Sequence, residues 1–185
     1  MEGALIHPAP ERGRARPRAQ RGHGGRPGRI QTEAGFHCNY CQAYVSAVSF
    51  LSGVRNRNHC PYCLWSRHLD LYAAGDRLAA CKSPMEPIGL TLKATCKKYG
   101  PGQGELMLIH LCTDCKRLSI NRIAADDDPE TIFVIFESSS RLDLQTRSSL
   151  DASSIRALSA VQVGKVREQL FGVNNIRFFL DFDVL

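Results

Sequence analysis

Eight cysteines are the residues of this chain whose type and spacing point most directly to chemistry. Six of them form Cys-x-x-Cys pairs, namely Cys38/Cys41, Cys60/Cys63 and Cys112/Cys115. Two cysteines separated by two residues can bind one metal ion, because the intervening turn points both sulfurs inward. The first two pairs are separated by 18 residues, a spacing typical of a zinc site. They therefore predict a four-thiolate structural zinc site.

A second zinc site is predicted from three further thiols and one histidine. The three thiols are those of Cys81, Cys112 and Cys115. We predict that His68 supplies the fourth ligand. On a helix it lies five residues past Cys63, about 140° around the axis, and so faces away from the first site. His59 and His110 remain alternatives, because each lies within two residues of a cysteine of a pair.

The division of eight ligands between two ions is a separate question. Filling in chain order gives Cys38, Cys41, Cys60 and Cys63 for one ion, and His68, Cys81, Cys112 and Cys115 for the other. A cross-braced arrangement would exchange pairs without changing the two-zinc stoichiometry. We predict the sequential arrangement, because shorter loops cost less closure entropy. Cys96 is left over and is predicted to pack as a small hydrophobe.

The elements that must position these ligands are short. Tyr44, Val45 and Val48 predict a strand. Residues 64–72 read as a helix that ends before Gly75, and Pro61 lies just ahead of it, where the start of a helix tolerates proline. Alternating apolar residues from Ile88 to Cys96, a Gly-rich loop and the apolar run 105–112 predict a β-hairpin that leads into the last cysteine pair.

The C-terminal third predicts helices of its own. Asp128, Pro129 and Glu130 resemble a helix start, so the aspartates at 126–128 are interpreted as capping or solvated groups. Residues 138–149 read as a linker. Ser153 or Ser154 is predicted to cap an amphipathic helix that ends at Gly172, and the alternation over 176–183 predicts a final strand.

Charge and composition divide the chain further. Residues 1–33 hold seven arginines against three glutamates, a net charge of +4 out of +6 for the whole chain. We predict a disordered Arg/Gly/Pro-rich leader over 1–34, a zinc-binding domain over 35–130 and a C-terminal extension over 131–185. No apolar run long enough to span a membrane and no secretory signal is visible, so we expect a cytoplasmic protein without a membrane partner.

The predicted fold class is α+β. It is a small two-zinc ribbon or treble-clef-like domain with a β-hairpin and a short helix, followed by a C-terminal helix and strand. Enzyme chemistry is a weaker interpretation. Cys60-Pro-Tyr-Cys63 matches a glutaredoxin dithiol, but the polar residues 55–59 precede it instead of an apolar strand. A zinc site without His68 would keep an open position, which leaves zinc-dependent catalysis as a further alternative.

Several pieces of the chain, in order, resemble one family. They include Phe36-His37-Cys38-Asn39-Tyr40-Cys41, Arg57-Asn58-His59-Cys60-Pro61, Gly75-Asp76-Arg77 and Met85-Glu86-Pro87-Ile88. These pieces resemble the RNHCP domain family over about residues 36–130. The resemblance implies a small zinc-ribbon-type microbial domain, and it does not imply a biochemical role.

The sequence therefore favours a non-catalytic module with two zinc ions that contacts RNA or a ribonucleoprotein. The Arg-rich leader supports this prediction, because arginines bind phosphates. The alternative is a protein-interaction adaptor in which zinc only holds the fold and the C-terminal helix binds a protein partner.

Overall fold

The computed structural model describes residues 35–94 and 104–172. Six strands and four helices follow one another in these two ranges. They are β1 (Gly35–His37), β2 (Tyr44–Ser46), α1 (Ser49–Ser52), β3 (Ser66–Arg67), β4 (Pro84–Lys93), β5 (Glu105–Cys112), β6 (Leu118–Arg122), α2 (Pro129–Ser138), α3 (Leu144–Ala152) and α4 (Val163–Phe171). The fold is mixed α+β, as predicted. Among these helices, none is long and apolar enough to cross a bilayer.

Two antiparallel sheets carry the metal-ligand candidates. β1 and β2 form a two-stranded sheet, and the second sheet has the order β3-β4-β5-β6. The predicted hairpin is confirmed as β4 and β5, although β4 begins at Pro84, four residues before the predicted start. The register shifts between Pro87 and Gly89. This bulge interrupts the alternation that the sequence predicts, and Ile88 packs in a different apolar cluster from Leu90.

The main apolar core lies between the long hairpin and the C-terminal helices. Its buried residues are Leu64, Leu90, Leu106, Leu108, Ile132, Phe136, Leu158 and Val166. Leu64 belongs to this core although it directly follows Cys63. The core therefore contacts the cysteine turn itself, and packing of the helices supports the geometry of the ligand candidates.

The C-terminal helices are only partly as predicted. α2 begins after Asp128, whose side chain accepts a hydrogen bond from Thr131 N, as the sequence indicates. The linker prediction for 138–149 is wrong, because Asp143 caps α3 there. The start of the last helix at Ser153 or Ser154 is also wrong: α4 begins at Val163, and Gly172 ends it as predicted.

Residues 155–159 form no helix for a structural reason. Leu158 N donates to Leu90 O at 2.8 Å, and Thr91 Oγ1 donates to Arg156 O at 2.7 Å. The segment thus covers a stretch of the edge of β4 that β3 leaves unpaired, and a covered edge is protected from unwanted strand pairing. Local helix propensity is overridden by this tertiary contact.

The predicted helix over 64–72 is wrong as well. Leu64 has a φ of 62°, in the left-handed region, and Ser66–Arg67 is strand β3. Leu64 N donates to Cys60 O, which closes a turn around the cysteine pair instead of propagating a helix. The predicted leader, Cys96 and the predicted final strand lie outside the described residues. The predicted domain division stays a prediction.

Candidate metal centres

The three Cys-x-x-Cys pairs share one backbone conformation. We name them turn 1 (38–43), turn 2 (60–65) and turn 3 (112–117). In each, the first cysteine's N–H donates to the carbonyl five residues later, at 2.9 Å. The residue after the second cysteine is left-handed in each turn, with φ of 62° at Gln42, 62° at Leu64 and 60° at Lys116. A non-glycine residue in this region costs about 1–3 kcal/mol, so tertiary contacts must hold the turns.

Cluster A combines turns 1 and 2. It consists of Cys38, Cys41, Cys60 and Cys63. The sulfurs of Cys38 and Cys63 are 3.6 Å apart, as are those of Cys41 and Cys60. At a Zn–S bond of ~2.3 Å, tetrahedral geometry requires sulfurs about 3.8 Å apart. The donor set and its spacing therefore fit a zinc ion, and 3.6 Å is far longer than the ~2.05 Å of a disulfide.

Cluster B combines turn 3 with residues on both sides of a long loop. It consists of His68, Cys81, Cys112 and Cys115. The sulfurs of Cys81 and Cys112 are 3.6 Å apart, and His68 Nδ1 is 3.3 Å from Cys115 Sγ. His68 reaches the cluster directly after β3, held by a 2.9 Å bond from its N–H to Ser83 O. The predicted helix is absent, but the structure brings His68 to the other three residues.

The two alternative histidines are engaged elsewhere. His59 Nε2 lies 2.8 Å from Asp127 Oδ2. His110 Nε2 donates to Leu64 O at 2.8 Å, which leaves Nδ1 to accept from the Asn121 side chain at 2.9 Å. Complete burial lowers the pKa of His110 to about 3, so it stays neutral. Neither histidine joins a cluster.

Each cluster places thiols in contrasting environments. The backbone N–H of Ala43 lowers the pKa of Cys41, and hydrogen bonds from Ser83 lower the pKa of Cys81 to about 6. Burial raises the pKa of the thiols of Cys60, Cys63 and Cys112. Buried thiolates need a compensating positive charge, and a metal ion supplies it when bound.

A buried ionic network lies beside cluster A. Arg57 Nη1 contacts the Asp126 carboxylate at 2.6–2.7 Å, and Nη2 donates to Asp127 Oδ1 at 2.9 Å. The second Asp127 oxygen lies 2.8 Å from His59 Nε2 and accepts from Ala124 N at 2.7 Å. The side chains of Arg57 and Asp127 are 1% and 0% exposed. This network ties the segment before turn 2 to the segment before α2.

The network fixes the role of Arg57 and corrects one interpretation of the sequence. The guanidinium of Arg57 is buried against two carboxylates. Asp127 was interpreted as a capping or solvated group, whereas it is buried. The sequence contained no usable signal for this pairing, because 70 residues separate Arg57 from Asp127.

The loop between His68 and Cys81 is built around two aspartates. Asp76 accepts four backbone hydrogen bonds, from the N–H groups of Leu71, Tyr72, Ala73 and Leu78. These bonds hold the pKa of Asp76 well below its usual range. Asp70 accepts from Gly75 N and Arg77 N. A Cβ at Gly75 would lie 2.4 Å from Asn56 Nδ2, and its φ is 88°, so this position requires glycine.

These features define the class of protein. It is a mixed α+β protein with two Cys/His clusters that are each suited to a zinc ion. The chain belongs to the RNHCP domain family, whose family model matches residues 33–133. The resemblance predicted from the sequence is thereby confirmed. No curated protein and no solved structure matches the chain.

Proposed function

We propose that this protein is a non-catalytic module that binds two structural zinc ions and contacts RNA or a ribonucleoprotein. The observation that carries the zinc part is that each cluster presents four donors within 4.8 Å of one another. Structural zinc takes four protein ligands, whereas catalytic zinc has three and keeps a position for water or substrate. In this proposal Cys38, Cys41, Cys60 and Cys63 bind one ion, and His68, Cys81, Cys112 and Cys115 bind the other.

The two ions would join segments that are distant from one another in the chain. Cluster A connects the β1–β2 hairpin with turn 2, and cluster B connects the end of β3 and the start of β4 with the turn between β5 and β6. A bound zinc therefore contributes folding free energy in this proposal. The seven described cysteines are free thiols, which suits a reducing compartment such as the cytoplasm.

RNA contact is supported by exposed rings and cations around the clusters. Tyr40 is 60% and Tyr62 is 63% exposed, and each lies between the two cysteines of its turn. Aromatic rings beside cations are the recurring surface for single-stranded nucleic acid. The exposed Arg67 makes one bond, from Nε to Lys82 O, and no ion pair within the described residues. The Arg-rich residues 1–33 add a net charge of +4.

The test combines metal counting with RNA binding. Native mass spectrometry of the full chain is expected to show two zinc ions, and a chelator is expected to unfold the protein. Binding of a labelled single-stranded RNA is then measured over a range of salt for the full chain and for a variant without residues 1–33. We expect the deletion to weaken binding and to flatten the salt slope by several units, at ~0.7 per phosphate contact on single strands.

The outcomes separate the parts of the proposal. One ion or none would contradict the two-zinc proposal. Unchanged RNA binding after the deletion would place the interface on the zinc-binding core instead of the leader. Absence of RNA binding by a fully zinc-loaded chain would contradict the RNA proposal.

An adaptor is the second candidate function, and one surface favours it. Phe50 and Leu51 are adjacent on α1 and are 92% and 56% exposed. Exposed large apolar side chains that lie together often mark protein contacts. A zinc-loaded chain that binds no RNA would favour this candidate.

A further inference from the structure

A cavity of about 240 Å³ lies between turn 1 and the segment from Arg57 to Leu69. Tyr40 of turn 1 and Trp65 of turn 2 line it, together with Asn58, Ser66, Arg67 and Arg77. Sites for drug-sized ligands have volumes of ~300–1,000 Å³, so this cavity suits one ring system of a ligand whose other groups lie at the exposed residues of its rim. Four of its lining residues belong to the turns of cluster A, namely Cys38, Asn39, Tyr40 and Trp65, so metal binding would position this wall.

Two polar side chains in the cavity wall have no hydrogen-bond partner among residues 35–94 and 104–172. The Ser66 hydroxyl is buried, and leaving it unpaired costs ~1–3 kcal/mol. Asn58 is 8% exposed, and its amide reaches solvent at the cavity without a partner from the described residues. The two sequence neighbours of Asn58, Arg57 and His59, both contact Asp127. Asn58 makes no comparable contact with a described residue.

The remaining lining indicates the chemistry of the missing partner. The rings of Tyr40 and Trp65 are stacked, with centroids 4.2 Å apart and planes 4° from parallel. Arg67 and Arg77 are exposed cations, and Arg77 has a 3.8 Å contact to Asp70 and a 3.4 Å hydrogen bond from Nη2 to Arg57 O. No carboxylate lines the cavity within the described residues. Stacking rings, an amide and exposed guanidinium groups are the elements that recognise a base and its phosphate.

We propose that this cavity binds one nucleotide, with its base at the Asn58 amide beside the Tyr40–Trp65 pair and its phosphate at Arg67 and Arg77. An asparagine amide donates and accepts at once, which matches the adjacent donor and acceptor on an adenine edge. The nucleotide is either part of single-stranded RNA or free, and in the first case this inference rests on the proposed function. This assignment gives a role to the Asn58 amide, which has no hydrogen bond within the part of the chain that the structure describes.

The single tryptophan of the chain makes the test specific to this site. Trp65 fluorescence of the zinc-loaded full chain is titrated with adenosine monophosphate and, separately, with an unlabelled oligoadenylate of eight nucleotides. Binding of the labelled oligoadenylate is measured in parallel by anisotropy, which reports contact anywhere on the protein. We expect quenching of Trp65, because a base that enters this cavity comes to lie against its ring.

Variants then identify the contacts. Asn58→Asp keeps the shape but replaces the amide donor by a negative charge, and we expect the affinity for the quenching ligand to fall at least about 10-fold. Arg67→Gln is expected to reduce the salt slope by ~0.7. Arg141→Gln is the matched control, because Arg141 is exposed and does not line the cavity. If Asn58→Asp does not retain two zinc ions, Asn58→Ser and Arg67→Gln decide the question.

The possible results separate the cavity from the RNA proposal. Oligoadenylate that quenches Trp65 and depends on Asn58 supports both, and equal affinity for the monophosphate identifies a free nucleotide as the ligand. Two results overturn the cavity site alone. In the first, anisotropy shows RNA binding but Trp65 is not quenched. In the second, Trp65 is quenched but Asn58→Asp leaves the quenching unchanged. Quenching by the monophosphate without RNA binding supports the cavity and overturns the RNA proposal. No binding of either ligand overturns both.

Discussion

Three adjacent aspartates at 126–128 provide a sharp test of the buried ionic network. The Asp127 side chain is fully buried and accepts from three groups: Arg57 Nη2, His59 Nε2 and Ala124 N. Asp128 is exposed and caps α2 through a 3.0 Å bond from Thr131 N. Substitution of Asp127 or Asp128 by alanine removes the same atoms from two neighbouring positions, and nothing in the sequence indicated that Asp127 is buried.

The expected costs differ widely. Asp127→Ala leaves a buried guanidinium short of one partner and two further donors unpaired, and breaking a buried ion pair in this way costs ~3–5 kcal/mol. Asp128→Ala removes an N-cap, which costs ~1 kcal/mol. The difference of about 3 kcal/mol corresponds to roughly 1–3 M in the urea midpoint.

The assay is urea unfolding of the full chain at fixed free zinc, because metal binding stabilises the folded state by mass action. Trp65 fluorescence and far-ultraviolet circular dichroism report the transition. Should Asp127→Ala fail to fold, Asp127→Asn replaces it, since the asparagine oxygen still accepts one of the three bonds. Equal midpoints for the Asp127 and Asp128 variants would refute the assignment of a buried network.

Two further predictions concern cluster B and the loop that carries it. His68→Ala is expected to lose one zinc ion while cluster A stays filled, and His68→Cys is expected to restore the second ion if the shorter side chain reaches the site; native mass spectrometry counts the ions. Gly75→Ala is expected to destabilise the protein for two reasons. Its φ of 88° is strained for any residue with a Cβ, and a Cβ there would clash with the Asn56 side chain.

Each of these predictions has a matched control. His110→Ala is expected to keep both ions, because His110 hydrogen-bonds to Leu64 O and Asn121. A structure with His110 or His59 on the metal would refute the His68 assignment and leave the two-zinc proposal intact. Gly164→Ala, in α4, is expected to be neutral or to stabilise by up to ~1 kcal/mol, because a Cβ there meets nothing within 4 Å. Equal thermal midpoints for the two glycine variants would contradict the steric argument at Gly75.

Features encoded over a few residues were predicted well from the sequence. The hairpin follows from alternating apolar residues and a glycine-rich loop, and the start of α2 follows from Asp128, Pro129 and Glu130. The family resemblance depends on short ordered pieces and is confirmed. These signals are local, because strand alternation and side-chain capping act between residues at most a few positions apart.

Errors arose where a distant segment overrides the local preference. Residues 64–72 have a helical pattern, but turn 2 and the pairing of Ser66 with Met85 impose a strand. Residues 155–159 resemble a helix start, but they lie along the edge of β4. In both cases a tertiary hydrogen bond replaces the bonds that a helix would make, and propensity differences below ~1 kcal/mol per residue cannot prevent that.

The sequence by itself predicted the donor types and the pairing of cysteines within each turn, because a Cys-x-x-Cys spacing allows two sulfurs to bind one ion. Only the tertiary structure decided which histidine joins Cys81, Cys112 and Cys115, since three candidates were open and two are engaged elsewhere. It also decided that Arg57 is bound to Asp127 while the Asn58 amide has no partner among residues 35–94 and 104–172. Those outcomes depend on contacts between segments tens of residues apart, and only packing of the whole core fixes such contacts.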